Sequence, residues 1–327
     1  MQDSEVTFVV QGPIIVKDDQ NLTAVALDSI RKNFPDSRVI LSTHHDQKVA
    51  GLNFDEVVFS ERPSVEMFEN DKNKTLMSVN HQILTTKRGL AAVTTPYVIK
   101  TRTDINFKNR NVFKLLDARP ERIHSDNLTL SKELVLVINW STVHPGKFLR
   151  LPHHPSDQLF AGLLVDVKRI WDAPTYPTEY MRWFESHDYP LGSQHGANLQ
   201  RYRSESWIWF NYVKEKVNFS FESSYDMCAD SMLESLNLLS HNLMVVSQGM
   251  LGVNSLKNRR PGWKSRIKMM SYWDWVKLSR NAHVVQKGIL FDFDSLFIAI
   301  LRPLISILGM RELIFSNRGK TIITKVN

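Results

Sequence analysis

PYVIKTRTD, residues 96–104, decides how the chain is read. Behind the proline, Tyr97–Lys100 is a short run with β-branched residues, the pattern of a buried strand. It leads directly into Arg102, Thr103 and Asp104, so a strand leaves a sheet and carries three polar groups at its tip. Asp-x-Asp at such a tip is a familiar way to hold a divalent metal; here Arg102 stands where the first Asp would be.

Working outward, Val6–Val10 is a compact β-branched run ended by Gln11-Gly12-Pro13, a breaker cluster. Thr23–Asn33 places Val25, Leu27 and Ile30 at helical spacing before the stop at Phe34-Pro35. Arg38–Ser42 and Glu56–Phe59 read as the next strands. Val79–Val93 reads as a helix with Ile83, Leu84, Leu90 and Ala91 on one face. Strand, helix, strand, strand, helix, strand predicts an α/β fold around a parallel, doubly wound sheet. Ligands of such sheets sit beyond the C-terminal strand ends. Gln11-Gly12-Pro13, Ser42-Thr43-His44 and Arg102-Thr103-Asp104 all fall there. No GxGxxG or GxxxxGK[ST] is present, so neither a dinucleotide fingerprint nor a P-loop is expected. Further on, Leu134–Asn139 and Leu159–Val165 read as strands, the second entered through His153-His154-Pro155-Ser156-Asp157. Arg203–Val213 reads as a helix capped by Ser204, carrying Trp207, Trp209, Phe210 and Tyr212.

The 327 residues suffice for one large α/β domain or two smaller ones, and the hydrophobic fraction of 43% is that of a folded protein. The single cysteine, Cys228, excludes an internal disulfide framework and fits a reducing compartment. No apolar leader run follows Met1. The net charge of +7 is local: Lys257–Lys287 holds nine Lys/Arg against Asp274, which is +8, and the rest of the chain sums to −1. Such a block points to anionic lipid, nucleic acid or a phosphorylated ligand. After it, ILFDFDSLFIAILRPLISILGM (289–310) is interrupted by Asp292, Asp294, Arg302 and Pro303, too soon for a membrane span of about 18 apolar residues. Beside the basic block and Trp263, Trp273 and Trp275, an interfacial amphipathic segment is expected.

TFVVQGPI, SIRKNFPDSRVILST, NHQILTTKRGL, YVIKTRTD, HPSDQLFAGL and SESW occur in that order. Together they resemble the WavE-type family of lipopolysaccharide and capsule polysaccharide synthesis proteins, over roughly residues 5–215. The resemblance implies a bacterial glycosyltransferase of GT-A-like fold, a Rossmann-type mixed sheet flanked by helices. It divides residues 1–255 into a nucleotide-binding half at about 1–110 and an acceptor half at about 111–255; the basic, amphipathic region at 256–327 is not carried by it. The implied partners are a nucleotide-sugar donor and a glycan or lipid-linked glycan acceptor, to which the basic block and amphipathic tail add an anionic membrane surface. The implied location is cytoplasmic, peripheral on the inner face of the cell membrane.

Transfer of a sugar needs charge stabilisation on the leaving diphosphate, a base for the acceptor hydroxyl in an inverting reaction, and a nucleotide cradle. Gln11, Gly12 and Pro13 are the cradle candidates. Arg102 and Asp104 are the leaving-group candidates. In the family that position reads Arg-Ser/Thr-Asp, so Arg102 is a regular feature of it. Asp104 is then either a ligand to Mn²⁺ or Mg²⁺ or a partner of Arg102 on a phosphate. Lys257 opens a basic stretch that can meet the same diphosphate. Glu205, at a helix start, corresponds to the base of many inverting enzymes of this fold, and Asp157 to a residue that holds the donor sugar. Each also has a plain reading, as a helix-start acid and a turn residue. His153-His154 alone is poor zinc evidence, and His241 is placed in a later loop. The competing functions are a non-catalytic carbohydrate-binding protein of transferase fold and a nucleic-acid module built on the basic block. No known nucleic-acid signature supports the second.

Overall fold

The computed structural model describes residues 1–307 apart from 64–66, 71–72, 77, 123–126, 194–197, 219–220, 227, 258–261, 281–283 and 286–290. The first half runs β1 (Val6–Gln11), α1 (Leu22–Asn33), β2 (Arg38–His44), β3 (Glu56–Ser60), α2 (Val79–Ala91), β4 (Tyr97–Arg102), β5 (Ile105–Phe107) and α3 (Asn111–Asp117). The second half adds β6 (Val135–Ile138), β7 (Phe160–Leu163), α4 (Leu164–Ile170), α5 (Ser204–Val213), α6 (Ala229–Asn242), β8 (Leu243–Val246), α7 (Gln248–Leu251), β9 (Val253–Ser255), α8 (Tyr272–Ser279) and α9 (Phe293–Ile307).

Seven strands form one sheet in the order β8-β6-β7-β4-β1-β2-β3. Every pairing is parallel except those of β7, which runs antiparallel to both neighbours. The sheet is therefore mixed, with one reversed strand inside an otherwise doubly wound order. The reversal matters for function: the N-terminal end of β7 lies at the same edge as the C-terminal ends of β1, β2, β4, β6 and β8. The loop holding Asp157 is thereby brought to the ligand-facing edge. Register is fixed across the central strands, with Gln11 opposite Ser42 on one side and Arg102 on the other.

The strands are apolar because both faces are covered. Phe8, Val9, Val39, Ile40, Val98 and Ile99 are fully buried. Phe8, Phe34 and Phe107 pack with ring centroids 4.8–5.8 Å apart, and Phe113 extends the cluster at 4.7 Å from Phe34. Helix α2 lies so close to the sheet that a Cβ on Gly89 would stand 2.6 Å from Val9 Cγ1 and 2.9 Å from Ser42 Cβ. The glycine of the TTKRGL motif is there because nothing larger fits.

Three local expectations are corrected. Leu159–Val165 is not one strand: β7 stops at Leu163, and Leu164, whose amide reaches Pro96 O, begins α4. Asp166 on that helix accepts from the amides of Lys132 and Glu133, which is why the chain turns helical there. Ser204 is not the cap of α5. Arg203 takes that position, its amide held by Ser224 Oγ and its carbonyl by Trp207 N. His241 lies in the last turn of α6, not in a loop, and its Nδ1 is 2.6 Å from Asn237 O.

The described residues beyond 255 pack on this core. Trp275 in α8 is fully buried and donates its indole N–H to Leu243 O. Of the three tryptophans expected at an interface, only Trp263 is exposed, because the apolar side of α8 is needed against α6 and β8. Helix α9 turns its charged residues inward together with Ile298 and Ile305. Arg302 reaches Asp274, Ile267 O and Met269 O, and Asp294 pairs with Arg266. Phe293, Ile300 and Leu304 face outward. No helix among the described residues is long and apolar enough to cross a membrane.

Candidate active site

At the C-terminal edge, β1 ends in Gly12 with φ +132°, a backbone state that side chains disfavour. A Cβ there would also meet Thr103 Oγ1 at 3.2 Å. The turn is tied on both sides: Gly12 N donates to Ser42 O, Thr103 N to Gln11 O, and Thr103 Oγ to Pro13 O at 2.7 Å. Gln11 Nε2 donates to Thr85 Oγ1 of α2 at 2.8 Å. These bonds make a rigid rim around a pocket of about 270 Å³.

Six residues singled out from the sequence line that one pocket: Gln11, Gly12, Pro13, Arg102, Asp157 and Lys257. Lys257 arrives because β9 pairs antiparallel with β5, Ser255 opposite Ile105, and Leu256 N donates to Asp104 O. The remainder of that loop, 258–260, lies outside the described residues. Burial disfavours the Arg102 charge, but Asp104, Asp157 and Glu205 outweigh it and hold its pKa above the ordinary guanidinium value. The pocket thus presents a fixed cation from β4 and a second from the loop after β9, the arrangement that suits a diphosphate.

Asp104 is placed differently. Its carboxylate is 1% exposed, with Oδ1 accepting from Arg102 Nε at 2.9 Å and Oδ2 from Ser255 Oγ at 2.8 Å. It is absent from the pocket lining. Both oxygens are committed inside the protein, so the residues present do not fit a divalent cation at Asp104: the ion would have to displace Arg102. Among the described residues no group of three or more His, Cys, Asp or Glu is arranged to hold a metal.

Asp157 is buried at the head of β7 and lines both this pocket and a small cleft that continues to Glu205. Its carbonyl accepts from Lys100 Nζ at 2.5 Å, and that ammonium lies 4.1 Å from the centroid of the Trp171 ring. Burial lowers the Lys100 pKa to about 7, against the raising effect of Asp157. Lys100 is a residue the sequence reading passed over, because a lysine inside a β-branched run reads as an edge residue until the strand is known to be central.

Glu205 lies in the first turn of α5, 3.6 Å from His154 Nε2. His154 Nδ1 is 3.1 Å from Ser141 O, which assigns the proton to Nδ1 and leaves Nε2 facing the carboxylate. Burial pushes the Glu205 pKa up; His154 opposes and Asp157 reinforces the shift. The fold thus favours the protonated carboxyl, which makes the ionised form a stronger base than an ordinary carboxylate.

His81 is a second residue the sequence reading missed, and it pairs with His44, which the strand-end rule had placed here. His44 Nδ1 lies 3.1 Å from Ser60 O and His44 Nε2 lies 2.9 Å from His81 Nδ1. That chain leaves His81 Nε2 as an acceptor, buried and without a partner. Desolvation, with His44 and Arg62 beside it, lowers the His81 pKa to about 4, so the ring is neutral. Both line the pocket. His153, by contrast, is a core residue with φ +55°, its ring 4.7 Å from Phe221 and its pKa lowered by burial to about 3. Asn80 is structural, bonded to the backbone of Tyr176 in both directions, and Arg88 is exposed, whereas Gln82 lines the pocket.

A family model described as WavE lipopolysaccharide synthesis matches residues 6–302. The match runs well past residue 215 and takes in the described part of the basic block and most of α9. Among solved structures, 4-diphosphocytidyl-2C-methyl-D-erythritol synthase from Anaerococcus prevotii DSM 20548 is similar over 72% of this chain and 97% of its own, at 9% identity and a TM-score of 0.35. That likeness is too slight to assign an activity. No curated protein matches the chain.

Proposed function

The chain belongs to the WavE family of lipopolysaccharide synthesis, and from that premise we propose that it is a glycosyltransferase moving a sugar from a nucleotide-sugar donor to a surface-glycan acceptor. One observation carries the reading: Arg102 and Lys257 converge with Asp157 on a single pocket rimmed by Gly12. In the proposed step an acceptor hydroxyl oxygen forms a bond to the anomeric carbon. The bond from that carbon to the diphosphate oxygen breaks, and the nucleoside diphosphate leaves with the electron pair. Arg102 and Lys257 stabilise the charge on the leaving group. Glu205 receives the hydroxyl proton, and Asp157 holds the hydroxyls of the donor sugar. Asp104 acts through Arg102, whose guanidinium it orients. The test is a thermal-shift screen of sugar nucleotides with and without Mn²⁺. One nucleotide class should raise Tm saturably, and to the same extent with EDTA. No response to any nucleotide sugar would overturn the reading.

We further propose that the protein works at an anionic membrane surface. The support is α9, whose charged residues are turned inward onto Asp274 and Arg266 while Phe293, Ile300 and Leu304 face solvent, beside the exposed Trp263. Apolar exposure next to a net positive segment is the pattern of an interfacial helix. The full chain should sediment with phosphatidylglycerol vesicles, and Ile300→Glu/Leu304→Glu should reduce the bound fraction several-fold. Equal sedimentation of both proteins would count against attachment through this helix.

A further inference from the structure

A second and larger cavity, about 650 Å³, opens at the same sheet edge, beyond the ends of β6 and β8. Its wall is apolar: Leu115, Trp140, Met250 and Ile298 line it. Of the ionised side chains that line it, Lys114 stands exposed on α3 and the others are satisfied within the protein. Arg266 is paired with Asp294, and Asp292 accepts from Ser247 Oγ and Ser295 Oγ, each at 2.7 Å. What it offers instead is neutral and polar at one end. Asn139 follows β6 and Gln248 begins α7, both are buried, and Gln248 Nε2 has no hydrogen-bond partner. A mostly apolar space of this size with a few convergent polar groups is the ordinary form of a small-molecule site.

The two ends of the cavity have different neighbours. At its mouth, Phe291 and Phe293 are 63% and 76% exposed, and Phe293 continues into the outward apolar side of α9. At its polar end, Asn139 is two strands from Arg102 in the sheet, with Asp157 leading into the strand between them. At the usual strand spacing that is about 10 Å. A ligand lying in the cavity therefore points one end to the apolar surface and the other to the donor pocket.

We propose that this cavity binds the hydrocarbon chain of an uncharged, hydroxyl-headed amphiphile, with the head against Asn139 and Gln248. An ionised head seated against Asn139 and Gln248 meets two neutral amides and no counter-charge from them, and a bare sugar would leave the apolar wall wet. That this amphiphile is the acceptor of sugar transfer rests on the transferase reading above; the binding itself does not.

Gly249 supplies the test. It lines the cavity, and a Cβ built on it meets only Ser247 Oγ, at 3.8 Å, with no positive φ to strain. Gly249→Phe therefore fills the space from α7, and Ala118→Trp fills it from the exposed opposite wall. The probe is octyl glucoside, titrated calorimetrically into the full chain below its critical micelle concentration. Saturable one-to-one binding is expected for the wild type, at least tenfold weaker binding for each variant, and none for glucose. Stabilisation by the sugar nucleotide should be unchanged in both variants. If octyl glucoside does not saturate below its micelle concentration, or binds both variants as well as the wild type, the cavity is not its site. If it binds as described while no nucleotide sugar is recognised, the amphiphile site stands and the transferase reading falls.

Discussion

Arg102→Met is expected to lower kcat/KM for sugar transfer by about 10²–10³, the loss that follows removal of one preorganised donor to a developing anion. The same change leaves Asp104 buried with Ser255 as its remaining side-chain partner, so Arg102→Met also destabilises the protein, by roughly 3–5 kcal/mol. Arg102→Met/Asp104→Asn separates the two effects: an amide needs no counter-charge, so the fold recovers while transfer does not. Arg102→Lys keeps a charge but loses the planar fork that meets Asp104 through Nε, and it should fall between wild type and Arg102→Met. The measurement is steady-state transfer with Tm recorded on each variant. A manganese-dependent activity that survives Arg102→Met and is abolished by Asp104→Asn alone would make the carboxylate a metal ligand and remove Arg102 from the step.

Glu205→Gln is expected to lower kcat by about 10²–10⁴, the usual contribution of a general base, and at the same time to stabilise the protein. The sign follows from burial. The Glu205 pKa is raised in the folded state, so the fold favours the protonated carboxyl. Ionising it costs stability, a cost that is absent below the unfolded value of about 4.3 and complete once the pH exceeds the folded one. The glutamine variant escapes that cost. Its Tm should exceed that of the wild type at pH 8, and the difference should vanish at pH 4. Wild-type kcat/KM should rise with pH through a limb set above the ordinary carboxylate range, and the variant should lack that limb. A glutamine variant that retains transfer, or one less stable than wild type at pH 8, would show that Glu205 serves packing and not proton transfer.

Sequence periodicity carried the first half of the fold well because each strand there is short, apolar and bounded by glycine, proline or a polar cluster. Val6–Gln11, Arg38–His44 and Tyr97–Arg102 emerge within a residue or two of where the pattern puts them. The reversal of β7 was not legible, since a strand buried on both faces reads the same in either direction. The strand ends gave most of the pocket, because a topological rule places them together without any motif. Lys100 and His81 were missed for the opposite reason: each is ordinary in sequence and acquires its character from burial. Asp104 shows the limit in another form. Its position at the tip was right, but whether its oxygens face outward or inward depends on Ser255, 151 residues away.

The pairing of β5 with β9 has a consequence for how the protein comes into being. The strands that make the pocket floor, β1, β2 and β4, are complete by residue 102, yet the second cation of the pocket and the clamp on Asp104 arrive only with residues 255–257. During synthesis, at about 5–20 residues per second, the nascent chain passes through some 150 residues in which the floor is made and the site is not. A nascent fragment that stops before Ser255 therefore lacks both Lys257 and the hydroxyl that holds Asp104, and the pocket is completed only when β9 pairs with β5.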